Sequence, residues 1–269
     1  MDPSELVQPT RVAHWGYDEH RYFGHRVFEE LTGRETLTGL TALSVLGRRL
    51  SPECRAVIDE VACAVTLADP RIWPLKLTRV IASYGVALPA AAAGLLVEEG
   101  ARIGPWAGVQ AAKLLVTLRE EIGERVADAQ FVREAVQRYL AEHHVVWGFG
   151  IPFRDRDERL VAFRACMRRR GRDTLPYWTT MEAVAPVLRE ARQTEPNISA
   201  AFAATFLDMG LEPYQIGALA SSVMHHMFVA NALEGAAQPG PLRKLPDECV
   251  RYVGRGPRSS PRAEQELSR

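Results

Sequence analysis

Gly104-Pro105-Trp106-Ala107-Gly108 is the first of three stretches around which the whole chain organises. Gly148-Phe149-Gly150-Ile151-Pro152-Phe153 and Pro196-Asn197-Ile198-Ser199 are the others. Each holds the glycines, prolines and apolar neighbours that shape a backbone, and none holds a histidine or a carboxylate. Outward from them, apolar residues recur at helical spacing and no sustained strand alternation bounded by turn residues is found. Ser51-Pro52 reads as a helix start, with the run Val57, Ile58, Val61 and Val65 as the buried face. Further helices are expected over 37–43, 72–83, 89–99, 111–123, 127–142, 157–170, 179–193, 200–209 and 213–235. In the last of these, Leu219, Val223, Met227, Ala230 and Leu233 form one stripe, with small residues on the other faces.

At 269 residues, 47% hydrophobic and 25% charged, the chain is of ordinary globular composition. Its 33 basic and 33 acidic residues cancel, which removes the global attraction expected of a nucleic-acid or anionic-membrane binder. The most apolar stretch, 85–97, is too short to span a bilayer. The N-terminus carries no signal-peptide pattern, so a cytoplasmic protein is expected. Cys54, Cys63, Cys166 and Cys249 form no Cys-x-x-Cys pair and read as reduced and partly buried.

Cofactor signatures are missing: there is no Gly-x-Gly-x-x-Gly, no phosphate-binding loop and no His-Glu-x-x-His. His143 and His144 follow Glu142 near a helix end and read as capping residues. No carboxylate or cysteine stands at ligand spacing from a histidine pair, so no metal site is expected. His225 and His226 lie inside the apolar C-terminal helix, where one of the two should face inward. The segment Asp69-Pro70-Arg71-Ile72-Trp73-Pro74-Leu75-Lys76 reads either as a loop stapled by an Asp–Arg pair with Trp73 in a seam, or as a polar cluster facing a substrate.

Together these motifs resemble citrate synthase and its shorter relatives, the citryl-CoA lyases. Gly16-Tyr17-Asp18, then 37–52, resemble the family's N-terminal helical pair, and 77–87 the helix before its first catalytic loop. The three opening stretches stand where that family has Gly-Pro-Leu-His-Gly-Gly-Ala, Gly-Phe-Gly-His and Pro-Asn-Val-Asp. The resemblance implies an all-α, citrate-synthase-like fold around a cleft. It implies a large helical domain over 1–108 and 206–254 and a small one over 109–205, and the composition of 255–269 itself reads as a disordered tail. It also implies a homodimer, to which the Ala- and Gly-rich face over 89–94 would lend close helix packing. In the family one histidine polarises an acetyl-CoA thioester while the aspartate removes its α-proton, and a second histidine holds oxaloacetate, whose carboxylates are clamped by arginines. Carried over, the first histidine is Ala107, the second Ile151 and the aspartate Ser199. A further histidine falls at Pro70 or Arg71, one arginine at Met224 and another near Asp247. Arg159 is the one arginine with a counterpart.

Neither alanine nor isoleucine transfers protons, and a serine without a base is a poor substitute for a carboxylate. The resemblance therefore implies a site turned from anion-binding to apolar, and excludes citrate synthesis. Two function classes follow. One is a repurposed enzyme doing C–C lyase, condensation or cyclisation chemistry on a hydrophobic thioester or keto substrate. Its catalytic candidates are Asp69, Arg71, Lys76, Ser199, His225 and His226, and its substrate-binding candidates Trp106, Ala107, Gln110, Ile151, Arg159 and Met224. The other is a non-catalytic ligand-binding or regulatory relative. CoA or an acyl-CoA is the ligand the resemblance suggests, at Gly148, Phe149 and Gly150 with Arg154 and Arg156, although these glycines serve equally to preserve a turn. The partner expected is a small, partly hydrophobic molecule, with no nucleic acid or membrane.

Overall fold

The computed structural model describes residues 9–98, 102–151, 156–240 and 246–256. Ten α-helices dominate them: α1 (Leu37–Leu46), α2 (Pro52–Val65), α3 (Trp73–Ala82), α4 (Ala87–Glu98), α5 (Gly104–Ile122), α6 (Ala129–Glu142), α7 (Glu158–Arg169), α8 (Pro176–Arg192), α9 (Ile198–Leu207) and α10 (Pro213–Ala236). Local chemistry sets most of their starts. Side chains of Thr36, Ser51, Asp128, Asp157 and Asn197 each accept a backbone N–H in the first turn of the helix that follows. Glu212 and Gln215 form a reciprocal capping box on α10. α8 has no such cap of its own. Asp208, beyond the end of α9, accepts from the Tyr177 and Trp178 N–H groups at 2.8 and 3.0 Å instead. Burial pushes the Asp208 carboxyl up to about 6 against those two bonds.

α10 runs through the middle, packed on α3, α4 and α5, while α9 packs on α5 and α8. Small residues permit these contacts. Gly235 on α10 lies so close to α3 that an added Cβ would sit 2.7 Å from the Arg79 carbonyl oxygen. Gly94 on α4 is similarly pressed between Thr78 and Phe228. Buried side chains from α1 through α10 form one continuous hydrophobic cluster, with Phe163, Phe202, Phe206 and Phe228 among its largest fully buried members.

Four expectations need correction. A three-stranded antiparallel sheet, β1 (Ala13–Trp15), β2 (His20–Tyr22) and β3 (His25–Arg26), precedes the helices. Its strands are too short to show a period. Gly16-Tyr17-Asp18 belongs to the β1–β2 turn, where the Gly16 N–H reaches Glu19 O, and not to a helical pair. Phe23 and Gly24, both at positive φ, make the mirror-image turn that suits a tight hairpin. Second, α5 begins at Gly104, seven residues before the expected start. Pro105 is compatible with a first turn because its absent N–H would have no helical partner there, so the first motif is helix, not connector. Third, the buried face of α10 is Ile216, Leu219, Ala220, Met224, Met227, Phe228 and Asn231, whereas Ala230 and Leu233 are exposed. Fourth, the close packing expected of the small residues over 89–94 is in part internal: Ala90, Ala91 and Gly94 on α4 are buried within the chain, while Pro89 and Ala92 are exposed. The outer side of α4 also shows Leu88 and Leu96. Cys63 and Cys249 are exposed, and all four thiols are free.

The expected tail over 255–269 lies almost wholly outside the described residues. α10 is long and apolar enough to cross a membrane by length and composition, and half of its apolar window is buried among the other helices.

Candidate functional site

The second and third motifs are laced together by backbone. Phe149 pairs with Pro196 as an isolated antiparallel bridge, the Gly150 N–H donates to Glu195 O at 2.7 Å, and the Asn197 N–H to Gly148 O at 2.9 Å. Asn197 does two further jobs. Its Nδ2 donates to Gly150 O at 2.9 Å, and its Oδ1 accepts the Ser199 N–H at 2.8 Å as the cap of α9. Gly148 is required by both conformation and space: its φ is +82°, and a Cβ there would lie 2.8 Å from Ala111 Cβ and 2.9 Å from Ala200 Cβ. The motif glycines thus hold the 145–151 segment against α5 and α9. The backbone groups of Gly148 and Gly150 named above are engaged inside the fold, which favours a turn-preserving role over ligand contact.

A cavity of about 440 Å³ opens where these segments meet α5 and α10. Ala107, Ile151, Ser199, Arg159 and Met224 all line it, as do Gly148, Phe149 and Gly150. Leu75 from α3, Phe202 from α9, and Met227 and Phe228 from α10 complete an apolar wall, with Trp147 above it in the 145–151 segment. Positions distant in sequence thereby converge on one hollow of a size suited to an organic molecule.

Its ionisable groups are few. Arg159 is bound by Asp157: Nε donates to Oδ1 and Nη2 to Oδ2, each at 2.8 Å. Asp157 is buried, and its Oδ2 also accepts the Ile198 N–H at 2.9 Å. Burial opposes ionisation of Asp157, but the Arg159 and Ile198 hydrogen bonds with the Arg159 charge outweigh it and hold the carboxyl below its ordinary range. Arg102 is exposed and in left-handed backbone at the cavity's edge. Glu98, the last residue of α4, is the third. It is 5% exposed, and its Oε2 has no hydrogen-bond partner among the described residues. Burial pushes its carboxyl up to about 7.

Other candidates lie elsewhere. Asp69 and Arg71 pair with each other, Nε to Oδ2 at 2.9 Å, on the outside of the fold, and the Arg71 side chain is 85% exposed. That matches the stapled loop, except that Trp73 is half exposed rather than packed in a seam. Lys76 and Arg71 line a separate, open depression beside α3 with Arg79 and Gln238. Both His225 and His226 are exposed, so neither faces inward. His226 bonds Thr66 Oγ1 at 2.9 Å and Val223 O at 2.8 Å. Trp106 lines an adjoining outer depression, and Gln110 is half-buried without lining the cavity. Arg156 is exposed, and Arg154 lies outside the described residues. His143 ends α6, stacked on Tyr139 with ring centroids 4.2 Å apart. Among the described residues no group of three or more His, Cys, Asp or Glu could hold a metal ion.

Sequence reasoning missed Glu98. The signal was available: Ala90, Gly94 and Glu98 fall four residues apart, which puts the carboxylate on the face that the small residues bury.

No family model matches the sequence, and no curated protein sequence matches it. Solved structures do. Citryl-CoA lyase from Hydrogenobacter thermophilus superposes with a TM-score of 0.76 at 21% identity, over 98% of this chain and 100% of that one. ATP citrate lyase from Methanothrix soehngenii, in complex with citrate and coenzyme A, gives 0.71 at 16% identity, over 94% of this chain but 43% of its own length. Citrate synthase from Thermotoga maritima gives 0.57 at 19% identity, over 81% and 57%. The fold is citrate-synthase-like and all-α, as the motifs imply.

Proposed function

We propose that this citrate-synthase-like chain binds a largely apolar carbonyl compound, a keto acid or an acyl thioester, and makes or breaks a carbon–carbon bond in it. The observation that carries the reading is the convergence of Ala107, Ile151, Ser199 and Met224 on one apolar cavity beside Arg159. Citrate and coenzyme A accompany one of the structural neighbours. In this chain a tricarboxylate would meet an arginine already bound by a carboxylate, and methionine, isoleucine and alanine around it. Removing a charge-assisted contact costs on the order of 1.5–3 kcal/mol, so an anion that lost two of them would bind weaker by several powers of ten. An acyl chain has the opposite preference, gaining about 0.8 kcal/mol for each buried CH₂. The reading takes the protein to work in the cytoplasm as a dimer, with 109–205 closing over the cleft.

A thermal-shift series tests the ligand class. Octanoyl-CoA and 2-oxooctanoate are compared with oxaloacetate and citrate. The expected result is a rise in Tm of roughly 5 °C at about 100-fold excess over Kd for the apolar pair, and no shift with citrate. The Ala107→Phe variant, which fills the cavity, should abolish the rise. A shift with citrate or oxaloacetate alone would overturn the reading. A second reading, a non-catalytic binder, draws on the loss of proton-transferring side chains at 107, 151 and 199. It predicts the same shifts with no chemical change in the ligand.

A further inference from the structure

Three ionisable side chains line the cavity among the described residues, and they differ in what they have left to offer a ligand. Arg159 is held through Nε and Nη2 by Asp157. Glu98 is buried, and burial favours its uncharged form up to about pH 7. Arg102 is exposed, and its side chain makes no ion pair or hydrogen bond among the described residues. Of these three, Arg102 is the cation that stands open to an incoming group.

Its backbone carries a second signal. Arg102 sits at φ +56° in the turn between α4 and α5, in the left-handed region that a side chain occupies only at a cost. Phe23 and Gln193 share that conformation, but the first belongs to a hairpin turn and the second ends α8. Glycine would serve the α4–α5 turn at less cost, as Gly104 does two residues on at φ +58°. A strained residue that borders a cavity, with a side chain bonded to nothing in the fold, points to a role toward a ligand.

The cavity itself has two ends. Leu75, Met227 and Phe228 are at most 5% exposed and make its inner wall, whereas Ile103 and Val145, 38% and 53% exposed, stand with Arg102 at the rim. We propose that Arg102 receives the anionic head of the ligand: a 2-oxo monocarboxylate enters tail first, with its chain on the inner wall and its carboxylate at the rim. A second carboxylate would have to lie in the apolar wall or at Arg159, which Asp157 already holds, so one open cation selects a monoanion over citrate or oxaloacetate. The several negative charges of a CoA thioester would also meet only that cation in the wall, which favours the free acid over the thioester. Reversing the ligand would strand its carboxylate against Leu75 and Phe228, so the contact fixes which way round it lies.

This assignment rests on the proposed apolar carbonyl ligand and names its class, and the test keeps the two apart. Kd is measured by isothermal titration calorimetry for 2-oxooctanoate, its uncharged methyl ester and octanoyl-CoA. Wild type should bind the acid about tenfold or more tighter than the ester. Arg102→Gln should lose most of that ratio by weakening acid binding, with ester binding changed by less than about twofold, and Arg102→Lys should keep part of it. Added salt should narrow the ratio in wild type and not in Arg102→Gln, since the contact is exposed. Arg102→Gly accepts left-handed backbone and gives a second variant with the same expectation as Arg102→Gln. Equal binding of acid and ester by wild type would overturn the proposal, as would equal weakening of both in the Gln and Gly variants, which would mark a structural role. Tighter binding of octanoyl-CoA than of the acid, lost on Arg102→Gln, would also overturn it by assigning Arg102 to a phosphate. In each of these cases the cavity reading stands. If wild type binds none of the three, the cavity reading falls and this assignment falls with it.

Discussion

Neutralising Glu98 should change how stability depends on pH, and the size of the effect follows from its surroundings. The carboxyl titrates near 4.5 in an exposed chain and at about 7 in the fold. Between those values the folded protein keeps a proton that the unfolded chain has released, so stability falls as pH rises. Below 4.5 both states are protonated, and above about 7 both are ionised and the loss is complete. A separation of about 2.5 pH units at 1.36 kcal/mol per unit amounts to roughly 3 kcal/mol. Because the side chain is 5% exposed, solvent screening hardly reduces this figure. Urea unfolding of wild type and Glu98→Gln, run in parallel from pH 4.5 to 8.5, isolates the contribution. Other titrating groups, Asp208 among them, are common to both proteins and cancel in the difference. The variant should gain roughly 3 kcal/mol on wild type across that range, whatever fixed offset the buried amide adds. Parallel curves would refute the reasoning, because they would mean that Glu98 ionises freely in the fold.

Gly148→Ala should destabilise the protein by about 3 kcal/mol, combining left-handed backbone at φ +82° with contacts to Ala111 and Ala200; a denaturant midpoint giving less than about 1 kcal/mol would contradict the packing described. Asp157→Asn should cost about 2 kcal/mol at pH 7, since it weakens both the Arg159 pair and the Ile198 N–H bond. The Asp157 carboxyl titrates below its ordinary range, so its stabilisation is present above pH 3.8 and is lost as pH falls lower. The gap between the unfolding free energies of Asp157→Asn and wild type should therefore narrow as pH falls below 3.8, and a gap that does not narrow at all would point to packing rather than charge.

Helix identity was legible because caps and spacing agree. Ser51-Pro52 followed by Val57, Ile58 and Val61 is both an N-terminal signal and a buried stripe, and α2 follows it residue for residue. Helix faces were less legible where small residues surround the whole helix. On α10, alanine, glycine and serine give no side a clear hydrophobic advantage, so the stripe through Ala230 and Leu233 and an inward histidine were equally compatible with the sequence. The tertiary contact of Gly235 with the α3 backbone settles which side is buried. The sheet over 13–26 could not be read from alternation because three-residue strands have none. The site was legible in its frame rather than in its chemistry. Glycine, proline and asparagine marked where the backbone must turn, and the structure brings residues 107, 151, 199 and 224 to one cavity. Asp69, Arg71 and the histidine pair attracted notice as charged or titratable groups in unusual settings, yet none of them lines the cavity. Glu98 went unread because a carboxylate at the end of a helix ordinarily faces water.

The Asp157 carboxylate holds Arg159 with both oxygens and the first N–H of α9 with one of them. On the proposed reading, this makes affinity for an anion at Arg159 hard to gain by small steps. Each of Ala107, Ile151 and Ser199 could be exchanged singly for a polar residue without touching that knot. Substituting Asp157 to release the guanidinium would also remove an acceptor from the start of the helix that carries Ser199. The positive charge an anion would need there is thus present in the chain at Arg159, yet none of those single exchanges makes it available.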